Sequence, residues 1–175
     1  MTQTLDQARL RHVFGAYPTG VAAVAALIGG EPAGIAASSF VSVSLDPPLV
    51  SVCVAHTSTT WPVLRTAGRL GISVLGAHQE AASRQLSSRD GERFAELTWR
   101  STGDGAVLLS DASAWLDCSI EREIPAGDHD IVVFRVHDLG ATDTMPLVFH
   151  RSGYGQLQAR NRCGRTQELA NRAVG

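Results

Sequence analysis

A chain of 175 residues, 44% hydrophobic and 18% charged, is long enough to bury one sizeable core and too apolar to be disordered. The formal net charge of −2 gives no basic excess for nucleic acid, and no apolar run is long enough to span a bilayer. All 15 basic residues are arginine, which excludes a Schiff-base lysine and a phosphate-loop lysine.

The cysteines indicate a reducing compartment. Cys53, Cys118 and Cys163 are odd in number and far apart in the sequence, which does not fit a disulfide framework. Cys53 and Cys118 fall in apolar strand patterns and are expected to be packing residues. The first residues lack the apolar segment of a signal peptide, so we expect a cytoplasmic protein.

The first predicted elements are a helix and a hairpin. Thr4 and Gln7 form a capping-box pattern, and apolar residues then recur at helical spacing until Pro18, so one stripe of this helix should pack on the core. Residues 20–28 form a Val/Ala-rich run, two glycines follow, and residues 33–37 resume extended structure. This pattern predicts a β-hairpin.

The stretch from Gly34 to Thr60 is the most informative part of the chain. Small residues and serines at 36–39 would let a flat ligand approach the backbone closely. The strand predicted at 49–55 is nearly continuously apolar, which indicates burial on both faces. It leads into Thr57-Ser58-Thr59-Thr60 and a short helix over 61–67, a corner that suits a phosphate. The alternative is that these hydroxyls only cap a helix in a solvated loop.

The remainder of the chain predicts mainly short strands. They lie at 69–75, 115–120, 131–136, 147–150 and 154–157, with a weak helix at 79–86 and a polar loop at 89–105. Beyond Gln158 four arginines face one glutamate, which indicates a mobile tail or a partner-facing helix. About seven or eight strands without βαβ alternation favour a closed antiparallel barrel over a doubly wound sheet.

Other kinds of site lack their sequence signatures. The six histidines show no metal-ligand spacing, so no metal site is expected. A GxGxxG fingerprint and a GxSxG nucleophile elbow are both missing, which argues against a Rossmann domain and a serine hydrolase.

Five short motifs together resemble the short-chain flavin reductases, the small reductase components of two-component flavin monooxygenases. The motifs are Pro18-Thr19-Gly20-Val21, Ala37-Ser38-Ser39-Phe40, Ser44-Leu45-Asp46-Pro47-Pro48-Leu49, Ser58-Thr59 and Gly127-Asp128-His129. The similarity covers about residues 10–157. It implies a mainly β fold with flanking helices, an antiparallel Greek-key split β-barrel of the FMN-binding type. That domain would span residues 1–157, followed by a polar Arg-rich tail at 158–175.

The resemblance also implies an activity. Such a protein forms a homodimer, binds FAD or alternatively FMN, and reduces it with NADH or NADPH for release to a separate flavin-dependent monooxygenase. The closest likeness is to reductases that serve aromatic hydroxylases in antibiotic biosynthesis. Because hydride passes from nicotinamide C4 to flavin N5, the protein mainly has to stack two rings and exclude water.

The resemblance assigns the site residues as well. Ala37, Ser38 and Ser39 would lie beside the isoalloxazine and the ribityl chain, where backbone N–H groups up to Phe40 could stabilise the reduced ring. The remaining positions are Ala55, Ser58 and Thr59 near the phosphate, Thr19 against the ring, Arg93 and Phe94 on its far side, and Gly127, Asp128 and His129 for the nicotinamide nucleotide. His129 is the catalytic candidate.

Several alternatives stay open at this point. His129 could be a strand-entry histidine satisfied by its own turn, and Phe94 could belong to the core. Arg84 or Arg89 could hold the 2′-phosphate of NADPH. The chain could instead be a flavin-binding electron carrier without turnover, or an oxidase on the same barrel. Trp99 and Trp115, expected to be exposed, give modest support for a dimer.

Overall fold

The computed structural model describes residues 5–89 and 91–158. Helices and strands in this part of the chain are α1 Gln7–Phe14, β1 Thr19–Gly20, β2 Ala22–Ile28, β3 Glu31–Ala37, β4 Val41–Leu45, β5 Pro48–Ala55, α2 Trp61–Leu64, β6 Leu70–Val74, α3 Glu80–Ser87, β7 Trp99–Ser101, β8 Val107–Leu109, β9 Ala114–Ala126, β10 His129–Ala141, β11 Leu147–His150 and β12 Gly153–Gln156. None of these helices is long and apolar enough to cross a membrane. The proposed tail lies almost wholly outside the described residues.

One antiparallel seven-stranded sheet organises the molecule, in the order β3-β2-β6-β9-β10-β5-β4. Its edge strands, β3 and β4, are not paired with each other, so the sheet is open. The fold implied by the resemblance, a mainly β antiparallel split barrel with flanking helices, is confirmed. The closed barrel expected from strand count alone is wrong. Smaller sheets pair β1-β11-β12 and β7-β8.

The predicted hairpin over residues 20–37 is confirmed. Ile28 pairs with Glu31, so Gly29 and Gly30 form a two-residue turn, with φ of 61° and 92°. Both angles lie in the left-handed region that glycine adopts at little cost, which is why two glycines fit here.

Strand β5 is buried on one face, not on both as its apolar run indicated. Val50, Val52 and Val54 are buried, whereas Leu49 and Ser51 are half-buried and Cys53 is exposed. No described residue covers the outer face of β5 at Cys53, and the alternation follows from the strand's period of two. Cys53 is therefore not the core packing residue expected, while Cys118 is fully buried.

Helix α1 differs from its prediction in its two ends and in its packing. It ends at Phe14 rather than at Pro18, and its N-cap is Asp6, whose carboxylate accepts a hydrogen bond from Arg9 N at 2.7 Å. Thr4, the predicted cap, lies outside the described residues. None of the helix's residues is buried, and Phe14 is 69% exposed, so the apolar stripe does not pack on this chain's core.

Strand β9 is much longer than the predicted strand at 115–120. It runs for 13 residues and pairs along its length with β10, also of 13 residues. β7 lies within the stretch predicted as a loop, and β8 was not predicted. Trp99 and Trp115 are half-buried rather than exposed, the latter under the Arg100 guanidinium at 4.7 Å.

Candidate functional site

A cavity opens where β3 and β5 end beside α3. Its volume is about 520 Å³. The wall is formed by residues 35–39, 53–55, 57–59 and 86–87, together with Arg89, Arg93 and His129. Residues 35–39 and 53–59 of the Gly34–Thr60 stretch thus meet at one place, as the resemblance to flavin reductases implied.

Eight of the thirteen residues assigned from the resemblance line this cavity. They are Ala37, Ser38, Ser39, Ala55, Ser58, Thr59, Arg93 and His129. The other five, Thr19, Phe40, Phe94, Gly127 and Asp128, do not.

Those five residues have other surroundings. Phe40 packs against the main core and Phe94 against a second core cluster, the alternative left open for Phe94. Thr19 pairs with Phe149 of β11, and its Oγ1 is buried without a hydrogen-bond partner among the described residues. Gly127 and Asp128 form the exposed turn between β9 and β10, directly before His129.

Ser38 and Ser39 play different parts although they are neighbours. The Ser39 hydroxyl accepts a hydrogen bond from Cys53 N at 2.9 Å and donates one to Cys53 O at 3.2 Å. The Ser38 side chain is exposed and bonds no described residue. Ser39 therefore holds the wall in place, and Ser38 has a hydroxyl available to a ligand.

The corner at residues 57–59 has features of both roles considered for it, a helix cap and a ligand-binding corner. The Ser58 hydroxyl accepts a hydrogen bond from Trp61 N at 3.1 Å, which makes it a cap, whereas Thr60 makes no such bond. Thr57 and Thr59 line the cavity without side-chain bonds to described residues. Helix α2 is a single turn over Trp61–Leu64, shorter than the predicted 61–67.

The charge lining the cavity is positive. Among the described residues, its wall contains two arginines and one histidine and no aspartate or glutamate, although the chain as a whole carries net charge −2. Arg93 Nη1 donates to Gly34 O at 3.1 Å, which fixes that side chain against β3. Arg89 bonds no described residue. Such a wall favours an anionic ligand.

His129 is oriented by its neighbour in the turn. Its Nδ1 lies 2.7 Å from Asp128 Oδ1, and this hydrogen bond lowers the pKa of the Asp128 carboxyl below its ordinary value. Nδ1 donates to the carboxylate, so the other ring nitrogen is the one left for a ligand. The nearby His56 is engaged elsewhere, with its Nε2 3.0 Å from Asp130 Oδ1.

Sequence reasoning missed part of the wall. Cys53 follows from the strand period, because it lies two residues before Ala55 on the same face of β5. Leu86 and Ser87 come from the end of α3, which the sequence placed near no particular strand, and Arg89, considered above only for a 2′-phosphate, comes from the loop after it.

A smaller cavity of about 100 Å³ adjoins the first and shares Ala36, Ala37, Ser38 and Ser87 with it. The Ser83 and Tyr154 hydroxyls in its wall lie 2.8 Å apart. Arg84 does not line either cavity: it donates twice to Glu80, at 2.8 and 2.9 Å, and stacks 4.7 Å above the Tyr154 ring. Of the two arginines considered for a 2′-phosphate, only Arg89 faces the cavity.

Residues 14–158 match the family model described as "Flavin reductase like domain". A "Probable flavin reductase" of Rhizobium meliloti is 40% identical over 153 residues, which are 87% of this chain and 49% of that protein, so this chain spans about half of its length. The "Flavin-dependent monooxygenase, reductase subunit HsaB" of Rhodococcus jostii is 34% identical over 89% of this chain and 80% of that protein. Among solved structures, the NADH:FAD oxidoreductase SgcE6 of Streptomyces globisporus C-1027, in complex with NAD and FAD fragments, superposes with TM-score 0.83. It is 34% identical, covering 89% of this chain and 95% of that one.

Proposed function

The chain belongs to the flavin reductase-like family, and from this we propose that it reduces FAD, or alternatively FMN, with NADH and releases the reduced flavin to a partner flavin-dependent monooxygenase. The observation that carries the proposal is the cavity: about 520 Å³, walled by small residues at the end of β3 and without an acidic side chain among the described residues that line it. Cofactor sites typically enclose about 300–1,000 Å³.

The wall of the cavity fits a phosphorylated flavin. Ala36, Ala37 and Ser38 present little side-chain bulk, so a planar ring can lie against the end of β3. We assign the hydroxyls of Thr57 and Thr59 and the backbone near Ser58 to the phosphate. We place the ring between these segments and Arg93, which Gly34 O holds on the opposite side.

Bound flavin would supply the chemistry by accepting a hydride at N5 from the nicotinamide C4. The chain's own residues bind, orient and exclude water. Backbone N–H groups around Ser38 and Ser39 are suited to the pyrimidine edge of the ring, where charge develops on reduction. Their position is kept by the two hydrogen bonds between Ser39 and Cys53. Arranging two rings in contact needs no acid or base from the protein.

We assign the nicotinamide nucleotide to the side of the cavity that His129 faces. The Gly127-Asp128 turn brings the imidazole to the wall, and Asp128 fixes its tautomer. We propose NADH as the preferred donor, because Arg84 is committed to Glu80, and of the two arginines considered for a 2′-phosphate only Arg89 faces the cavity. Tight recognition of an extra phosphate commonly uses more than one such contact.

We propose a homodimer, supported by an apolar edge of the open sheet. Val41, Val43 and Leu45 of β4, an edge strand of the sheet, are 55%, 52% and 94% exposed. Exposed apolar edge strands are sites of association. Sedimentation velocity of the chain and of Leu45→Glu tests this: the substitution should shift dimer to monomer.

We propose one catalytic domain over residues 1–157, a tail at 158–175, a cytoplasmic location, and a role in antibiotic or other secondary-metabolite biosynthesis. The last rests on the likeness of the sequence motifs to reductases of that kind.

The test is steady-state NADH oxidation with FAD, FMN and riboflavin compared, and NADPH in parallel. We expect consumption of NADH only when a flavin is supplied, with lower KM for the phosphorylated flavins. Stoichiometric flavin binding without NADH consumption would instead identify an electron carrier, and oxygen-dependent turnover of an amine without NADH would identify an oxidase.

A further inference from the structure

A β-bulge in β9 turns Glu123 toward the inner face of the sheet. The register between β9 and β10 shifts between Val133 and Phe134, which leaves Glu121 as the extra residue. Because side chains alternate along a strand, one extra residue moves Glu123 to the face of its partner Val132, which is fully buried. Bulges of this kind re-aim a side chain at a defined position.

The Glu123 carboxylate binds two side chains, one at the start of α2 and one on the residue that follows this helix. Trp61 Nε1 donates to Oε1 at 3.1 Å, and Arg65 Nη2 donates to Oε2. The glutamate side chain is 19% exposed, so both oxygens are held in a largely dry environment. The Trp61 ring is itself buried and packs edge-on against Phe134 at 6.3 Å.

Trp61 is also bonded to the wall of the cavity. Its backbone N–H donates to the Ser58 hydroxyl at 3.1 Å, and Ser58 N donates to Ala55 O at 2.9 Å. Ala55, Ser58 and Thr59 all line the cavity. A continuous set of hydrogen bonds therefore runs from Glu123 through Trp61 to the corner at 57–59.

We propose that Glu123 is a positioning residue for the phosphate end of the flavin cavity. It touches no part of the cavity itself, but it fixes the one-turn helix that sets the place of Ser58 and Thr59. The inference rests on the proposed function, because it takes the ligand of that corner to be the flavin phosphate. It predicts an effect on phosphorylated flavins that riboflavin does not share.

The experiment measures flavin binding by quenching of flavin fluorescence, with FMN and riboflavin, and needs no turnover. The variants are Glu123→Ala, Glu123→Gln and Trp61→Phe. Glu123→Ala should weaken FMN binding about tenfold and leave riboflavin binding within about twofold, since hydrogen bonds to charged groups are worth about that much. Glu123→Gln keeps an acceptor for Trp61, and Trp61→Phe keeps the ring packing, so both should fall between wild type and Glu123→Ala.

Glu121→Gln is the matched control. Glu121 lies two residues away on the same strand and is likewise held by an arginine, Arg135, at 2.8 and 3.0 Å, but on the outer face. We expect it to bind both flavins as the wild type does. Equal losses for FMN and riboflavin in Glu123→Ala, or no loss for FMN, would overturn the positioning role. A wild type that binds riboflavin as tightly as FMN would overturn the phosphate assignment in the proposed function as well.

Discussion

The Ser39 hydroxyl forms hydrogen bonds with both the backbone N–H and the backbone C=O of Cys53, at 2.9 and 3.2 Å. These two bonds replace the backbone pairing that β4 does not provide at this position of β5. The β4–β5 pairing stops at Val41 and Ser51. Without the serine, two backbone groups of Cys53 would meet only solvent or ligand. The segment that forms the cavity wall is thus fixed by a side chain rather than by strand pairing.

We expect Ser39→Ala to lower the free energy of unfolding by about 1–2 kcal/mol, since it removes two hydrogen bonds at a partly exposed position. Ser38→Ala should leave stability within about 0.5 kcal/mol of wild type, because its hydroxyl bonds no described residue. Urea unfolding measures both. Flavin titration should rank them differently, with Ser38→Ala losing affinity at full stability. Equal stability of the two variants would contradict the structural role of Ser39.

The two described cysteines should differ sharply toward thiol reagents. Cys53 is exposed in the cavity, whereas Cys118 is fully buried, and burial raises the pKa of its thiol to about 12. In a Cys163→Ser background, a chromogenic disulfide at pH 8 should modify one thiol rapidly and the second only in denaturant. Saturating FMN should slow the rapid reaction about tenfold or more, as expected for a thiol covered by a ligand bound at about ten times its Kd. A rate unchanged by FMN would place the flavin elsewhere.

The sequence predicted the ends of the site better than its middle. Residues 36–39 and 55–59 stand out by composition and are followed or preceded by a regular strand, so their meeting could be anticipated. Cys53 lies two residues before Ala55 on the same face of β5, but it was not predicted to line the site, because an unbroken apolar run such as Leu49–Ala55 does not say which face is exposed. The residues of α3 and its loop reach the cavity through tertiary packing that no local pattern records.

The length of β9 is a second feature that the local sequence pattern did not predict. Trp115–Ile120 alternates cleanly and was predicted as a strand, but the polar residues 121–123 broke the pattern. The structure explains this: the bulge at Glu121 reverses the phase, and Glu121 and Glu123 each bind an arginine. The bulge reverses the alternation of side chains, and the charged residues that follow are held in ion pairs. When only periodicity is considered, such a position is mistaken for the end of a strand. The exposed stripe of α1 is a related case, because apolar spacing does not specify which surface covers it.

We expect Gly34→Ala to disturb the cavity by displacing the side chains of Arg93 and Phe94, which contact β3 at this position. A Cβ there would lie 2.8 Å from Phe94 Cζ, 2.9 Å from Ala25 Cβ and 3.0 Å from Val24 O. The Gly34 carbonyl also receives the Arg93 guanidinium, so the pair Arg93-Phe94 must shift. We expect a loss of about 1–3 kcal/mol in stability from overpacking and a weaker affinity for flavin. Thermal unfolding and flavin titration measure the two effects.

Gly68→Ala is the control for that change, because an added Cβ at Gly68 meets nothing within 4 Å. Its stability should stay within about 0.5 kcal/mol of wild type. If Gly34→Ala bound flavin as tightly as Gly68→Ala does, the Arg93 side of the cavity would not contact the ligand.

His129→Ala tests the assignment of the nicotinamide side. The imidazole faces the cavity and is anchored by Asp128, so its loss should raise KM for NADH about tenfold while kcat stays within about twofold, the pattern of a lost binding contact. The pKa of Asp128 is lowered by its bond to His129, so in the variant it returns upward toward its ordinary value. Because that ordinary value is about 3.9, Asp128 is ionised at pH 7 in both proteins, and an assay there isolates the loss of the ring.

His56→Ala is the matched control, since His56 bonds Asp130 at 3.0 Å and does not line the cavity. The assignment of His129 to the nicotinamide nucleotide would be wrong if KM for NADH were unchanged in His129→Ala, or if it rose equally in His56→Ala. His129 would then be a strand-entry residue that bonds only within its own turn.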